Sequence, residues 1–189
     1  IERTCPEPPT LVGHLLGGAI AARFAIQHGD RLRRLVLVDS LGLDRFRPSL
    51  RFLFNLLFFQ ARPTEGTYHR FMRQCAYDLD ALRDRMGERW EPFVSYNLEF
   101  ARSPKAKAAG RLLKELGLPR IPPEDLARID VPTTLIWGRH DKALKLRIAE
   151  AASERYGWPL HVIEDAADDP PRDQPEAFLD ALRLAVEGS

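Results

Sequence analysis

Cysteine is scarce. Cys5 and Cys75 are the only two in 189 residues and stand far apart. That argues against a disulfide framework and against a CxxC metal or redox site. An excess of charge of one sign is also missing: 28 Lys+Arg against 27 Asp+Glu leave +1. A balance this even gives no global reason to expect a nucleic-acid partner. Long apolar runs are lacking too. The longest, Phe52 to Phe59, is interrupted by Asn55 and is too short to span a bilayer. The start, Ile1-Glu2-Arg3-Thr4, has no apolar segment of the signal-peptide kind. The expectation is a cytoplasmic, reducing location with no membrane partner. Since the first residue is not Met, we expect a fragment, a processed product or a trimmed chain.

What is present suits one ordinary domain with a real core: 44% hydrophobic, 29% charged and 9% aromatic residues. Thr10-Leu11-Val12 reads as a short buried strand, followed by a Gly-rich turn from Gly13 to Gly18. Ala19 to Ile26 follows at helical period, with Gly29 expected as the C-cap. Leu35-Val36-Leu37-Val38 is a continuous apolar run ending at Asp39-Ser40, which suits a parallel strand covered on both faces. From Leu43 to Pro122 the patterns are helical: Arg51 to Gln60, Tyr68 to Asp84, Arg89 to Arg102 and Lys105 to Leu116. The α/β pattern then resumes with strands at Thr133 to Trp137 and Leu160 to Ile163. Helices are expected at Lys145 to Tyr156 and Pro175 to Val186. The plan is an α/β fold: about four parallel strands, helices on both faces and an all-helical insertion. Residues 1–42 and 123–189 form the core, and 43–122 the insertion.

Gly13-His14-Leu15-Leu16-Gly17-Gly18, between a strand and a helix, resembles the nucleophile elbow of the α/β-hydrolase superfamily, Gly-x-Ser-x-Gly. Gly13 and Gly17 would let strand and helix approach closely. Val131-Pro132-Thr133-Thr134-Leu135-Ile136-Trp137-Gly138-Arg139-His140-Asp141 resembles the segment carrying the triad acid, which falls on Asp141. Ile163 to Pro170 resembles the catalytic-histidine loop, and the histidine position falls on Asp168. The order nucleophile, acid, histidine is the order of that fold. The resemblance spans essentially the whole chain and identifies the insertion with the family's cap. It implies hydrolysis of a small apolar ester, amide or C–C substrate. A serine at position 15 would attack, a histidine at 168 would take its proton, and Asp141 would hold that histidine. The Leu16 N–H would supply one oxyanion donor. No cofactor is implied.

Two departures bear on function. Leu15 carries no nucleophile. Asp168, taken as an exposed carboxylate with a pKa near ~4, is a poor base at neutral pH. Nothing nearby substitutes: the first serine is Ser40, Cys5 precedes the strand, and His14, His28, His69, His140 and His161 all lie outside the loop. Both changes are reachable by single-base substitution. Family members also carry strands before the elbow strand and an oxyanion loop there, often His-Gly. This sequence has neither.

The expectation is therefore a family hydrolase that is inactive. The alternatives are a non-catalytic ligand-binding protein, or a fragment acting by assembly with another chain. Asp141 and Asp168 would share one pocket, raising one pKa, but no third oxygen ligand for a metal is evident. His14 reads as a packing or supporting residue, and Asp39 as a helix or loop cap. The aromatic run Phe52 to Phe59 reads as pocket lining for a small apolar molecule, as core, or as a membrane-contact surface, with the pocket favoured. The insertion holds 15 Arg+Lys against nine Asp+Glu between residues 41 and 120, an excess read as a solvated face. The elbow strand would be an unpaired edge, inviting self-association or a complementing chain.

Overall fold

The computed structural model describes residues 5–187. Residues 1–4, read above for a leader segment, lie outside the described residues. Four strands form one parallel sheet in the order β1 (Thr10–His14), β2 (Arg34–Val38), β3 (Thr133–Gly138), β4 (Leu160–Ile163). The register places Val12 beside Val36, Val36 beside Thr134, and Leu135 beside Leu160.

The uninterrupted apolar runs of β2 and β3 are explained by burial on both faces. Leu35, Leu37, Leu135 and Trp137 join the larger core cluster with Ala19, Ala22 and Ala25 of α1 (Leu16–His28). Val36, Val38, Ile136 and Ile163 form a second cluster on the opposite face with Ala181 and Ala185.

The insertion is helical: α2 (Leu50–Ala61), α3 (Glu65–Cys75), α4 (Leu79–Met86), α5 (Trp90–Arg102) and α6 (Pro104–Leu112). Its apolar centre, with Phe52, Tyr68, Met72, Leu82, Trp90 and Val94, is continuous with the larger core cluster. After α7 (Pro123–Leu126) come α8 (Arg147–Tyr156), α9 (Pro170–Asp173) and α10 (Pro175–Glu187). The two four-residue helices α7 and α9 are too short to leave a periodic signal.

Two local readings needed correction, and a third held. The stretch from Tyr68 to Asp84 is not one helix. Ala76 is extended, and Asp78 restarts the chain by accepting the N–H groups of Asp80 and Ala81. Gly29 caps α1 as expected, in right-handed geometry at φ −58°, and a Cβ there would meet the Asp130 carboxylate at 2.5 Å. The aromatic run on α2 divides rather than facing one way: Phe52 is core, Phe59 lines a cavity, and Phe54 and Leu57 are exposed. Among the described residues no helix is long and apolar enough to cross a membrane.

Candidate functional site

At the end of β1 the chain turns through Leu15, held at φ 49°, ψ −114°. A branched residue in this region is strained, at a cost of about 1–3 kcal/mol. The surroundings enforce it. The Leu15 N–H donates to the Val38 carbonyl at 3.1 Å. The Leu15 carbonyl accepts from Gly18, Ala19 and Leu41 at 3.1–3.3 Å. Gly13 is obligatory, since a Cβ would lie 2.5 Å from the Gly17 carbonyl oxygen. Gly17 has open space where its Cβ would be, whereas a Cβ on Gly18 would strike Ser40 at 2.3 Å. Close approach therefore rests on Gly13 and Gly18, not on Gly13 and Gly17 as the motif suggested. Leu16 opens α1, so its N–H has no intrahelical acceptor.

The acid segment leaves β3 at Gly138, a residue with no spare room. A Cβ there would sit 1.9 Å from the Ala167 carbonyl oxygen. This contact brings the loops of Asp141 and Asp168 together. Asp141 is buried, 5% exposed. Its Oδ1 accepts the N–H groups of Ala143 and Leu144 at 2.6 and 2.7 Å. Burial pushes its carboxyl up to about 6, against those two donors.

Sequence reasoning missed the role of Asp39. It does not cap a helix. It is fully buried at φ 39°, and its Oδ1 accepts the Gly138 N–H at 3.0 Å. Burial, then the charge of Asp141, raises its pKa well above the carboxylate range. The second oxygens of Asp39 and Asp141 have no donor unless a carboxyl proton is present. With one, the two side chains hydrogen-bond to each other. The two buried carboxyls therefore titrate as a pair, both raised by burial. The local signal was weak: a single Asp after an apolar strand, with its partners 99 and 102 positions away.

Asp168 is also not the exposed carboxylate its loop suggested. It is 8% exposed. Burial, then the charges of Asp141 and Asp169, pushes its pKa well up. Its own N–H donates to the Cys75 carbonyl at 3.3 Å, and its carboxyl meets the Cys75 thiol. The His14 ring pins this loop, Nε2 lying 2.8 Å from the Asp168 carbonyl oxygen. Because that acceptor is a carbonyl, His14 Nε2 carries the proton and donates. Asp173 holds the loop from the other side, accepting the N–H groups of Ala167 and Tyr77 at 2.8 and 3.0 Å.

Leu15 and Asp168 meet across a cavity of 240 Å³ between insertion and sheet. Phe59, Tyr68, Phe71, Met72 and Leu82 supply its apolar wall; Cys75, Asn97, Asp169, Arg172 and Asp173 its polar one. Asp141 stands behind Asp168 rather than in the wall. Among the described residues, no histidine and no serine lines the cavity. His28 packs on Phe24, His69 on Trp90, and His140 on Tyr77. Cys75 is the nucleophilic type that sequence reasoning passed over. Burial, then the charge of Asp168, pushes its thiol up, away from the reactive thiolate. Among the described residues, no group of three or more His, Cys, Asp or Glu is arranged to hold a metal ion.

The profile of the Alpha/beta hydrolase family matches residues 1–181. A 2-hydroxy-6-oxo-6-phenylhexa-2,4-dienoate hydrolase of Comamonas testosteroni is 30% identical over 144 residues, covering 72% of this chain and 47% of that protein. An uncharacterized hydrolase of Bacillus subtilis is 27% identical over 156 residues, covering 79% and 54%. Among solved structures, a 2-hydroxy-6-oxo-6-phenylhexa-2,4-dienoate hydrolase of Rhodococcus superposes with a TM-score of 0.79 at 20% identity. That match covers 96% of this chain and 65% of the other. A meta-cleavage product hydrolase of Pseudomonas fluorescens gives 0.70 at 22%, covering 96% and 64%. At these identities the structural matches speak to the fold alone. The chain spans about half the length of the curated relatives it matches. With its elbow, parallel sheet and helical insertion in the family's order, and with the family profile matching nearly end to end, the chain belongs to the α/β-hydrolase family.

Proposed function

We propose that this chain is a non-catalytic member of its family that retains the cap cavity as a small-molecule site. One observation carries the reading. The residue in the strained elbow turn is Leu15, and it faces Asp168 across a cavity that, among the described residues, neither serine nor histidine lines. Acyl transfer needs a nucleophile and a base in hydrogen-bond reach, and these two positions supply neither. Leucine has no lone pair to attack with. Asp168 gains no imidazole from its surroundings, because His14 spends Nε2 on a backbone carbonyl. Asp141 is left with structural work, closing its own turn and pairing with Asp39.

The Comamonas relative is named as a hydrolase of a phenyl-substituted dienoate, which supports descent from enzymes acting on small, largely apolar substrates. The test is turnover of a short-chain aryl ester and of a phenyl dienoate. We expect background rates from the chain. Turnover that scales with its concentration would overturn the reading.

A second reading, assembly with another chain, is supported by β1. It is the edge strand among those described, and Val12 is 44% exposed on it. An apolar edge with unpaired backbone groups invites strand addition.

A further inference from the structure

We infer that the outward face of α2 seats this chain on an anionic phospholipid surface, with Leu50, Phe54 and Leu57 entering the headgroup layer and a rim of arginines meeting lipid phosphates. The inference is independent of whether the elbow catalyses.

The helix itself is the first observation, for α2 is apolar on two opposite faces. Phe52, Leu56 and Phe59, at the i, i+4, i+7 spacing of one face, pack into the core. Leu50, Leu53, Phe54 and Leu57, at i, i+3, i+4, i+7, make the other face and stay bare. Leu50 is 86% exposed, Phe54 65% and Leu57 55%. A helix apolar all round is ordinarily buried all round. The Phe54 and Phe58 rings stack at 5.9 Å along this ridge. No polar side chain interrupts it, and Asn55 on its flank donates its amide to the Arg51 carbonyl at 2.8 Å. The ridge therefore offers a partner no hydrogen bonds, whereas a protein interface carries about one per 100–200 Å².

Charge gives the sign of the partner. Between residues 44 and 64 the only acid is Asp44, which Arg120 takes at 3.7 Å. Arg45, Arg47, Arg51 and Arg62 are all exposed along the same stretch. Arg70 adds its guanidinium 5.6 Å over the Phe58 ring. Arg102 donates to the Pro63 carbonyl at 2.8 and 3.1 Å, which sets the start of α6 beside the end of α2. α6 carries Lys105, Lys107 and Arg111, no acid and no buried residue.

A second copy docked face to face would press these cations together. An anionic bilayer answers both the apolar ridge and its rim. Arginine stems lie along apolar surface while their heads reach the phosphates. At 12 residues α2 is too short to span, so it lies in the plane of the interface. Leu179 and Leu184 are also exposed, but α10 sets them among Glu176, Asp180 and Glu187, which an anionic surface repels.

The experiment measures flotation of the full chain with phosphatidylcholine vesicles, with and without about one-third phosphatidylglycerol. We expect the anionic vesicles to bind about tenfold or more tighter than the neutral ones, and added salt to weaken them. Arg51→Gln should lose about fivefold, and Phe54→Gln with Leu57→Gln about tenfold or more. All three positions are exposed, and circular dichroism confirms that the variants fold. Leu184→Gln should stay within about twofold of the parent. In Phe54→Trp, brominated lipid should quench the added indole, which stands apart because Trp90, Trp137 and Trp158 are buried. No binding to anionic vesicles, equal binding to neutral ones, or an unquenched indole in Phe54→Trp would overturn the proposal. So would a loss in Leu184→Gln equal to that of the α2 variants. A dimer that sediments without vesicles, and that the paired Gln variant dissolves, would assign the face to a second copy instead and overturn it too.

Discussion

At the scale of single residues, the site is governed by what lies against the backbone. Gly13→Ala should destabilise the protein by about 2 kcal/mol or more, since its Cβ would press on fixed backbone. Gly17→Ala should stabilise it by about 0.5–1 kcal/mol, as a helical glycine with room beside it. Urea titration of the two variants checks both signs. The buried carboxyls give a pH prediction. The folded pKa of Asp141, about 6, lies above the unfolded value near ~3.9. Stability from this group is therefore fully present below about pH 4 and is lost as pH rises through about 6. Asp39 and Asp168, also raised, act in the same direction. Asp141→Asn keeps an acceptor for Ala143 and Leu144 while removing the charge. It should be more stable than the parent at pH 8 by roughly 2–3 kcal/mol, with the gap closing by pH 4. Thermal melts across that range test it. A gap that widens toward acid would contradict the assigned sign. Strand–turn–helix context and chain order single out Leu15, Asp141 and Asp168 in the sequence, and the structure brings Leu15 and Asp168 to one cavity. The burial of Asp168 and the partnership of Asp39 were not legible there, because both arise from loops that meet only when Gly138 admits the Ala167 backbone.

At the scale of elements, the strands were the most readable. Parallel strands buried on both faces keep unbroken apolar runs, and β2 and β3 have them. Helices of the insertion were readable in existence but not in extent. Periodicity runs through the break at Ala76 to Asp78, because residues on both sides face one core. The break is set instead by Asp78, whose side chain takes two N–H groups of α4. Asp78→Ala should cost about 1 kcal/mol, read as a shift in the urea midpoint. Because Leu82 of α4 lines the cavity, the same variant should also weaken any ligand held there. An unchanged midpoint would mean that α4 is held by burial of Leu79 and Leu82 alone.

At the scale of the whole molecule, an α/β-hydrolase sheet carries a helical cap, and β1 is the edge among the described strands. If that edge is the assembly surface, Val12→Lys should shift sedimentation toward smaller species, since a charge on an edge strand opposes strand pairing. A parent chain that sediments as a monomer at all concentrations would remove that reading. The central proposal is narrower: with Leu15 in the elbow turn, the elbow offers no nucleophile to acylate. A fluorophosphonate probe, which forms a covalent adduct with activated serines, tests it most directly when read by intact mass. The account predicts that the chain stays unmodified, while Leu15→Ser with Asp168→His gains an adduct that maps to position 15. A stoichiometric adduct on the unsubstituted chain would contradict the account, for it would reveal a nucleophile that the elbow reading does not contain.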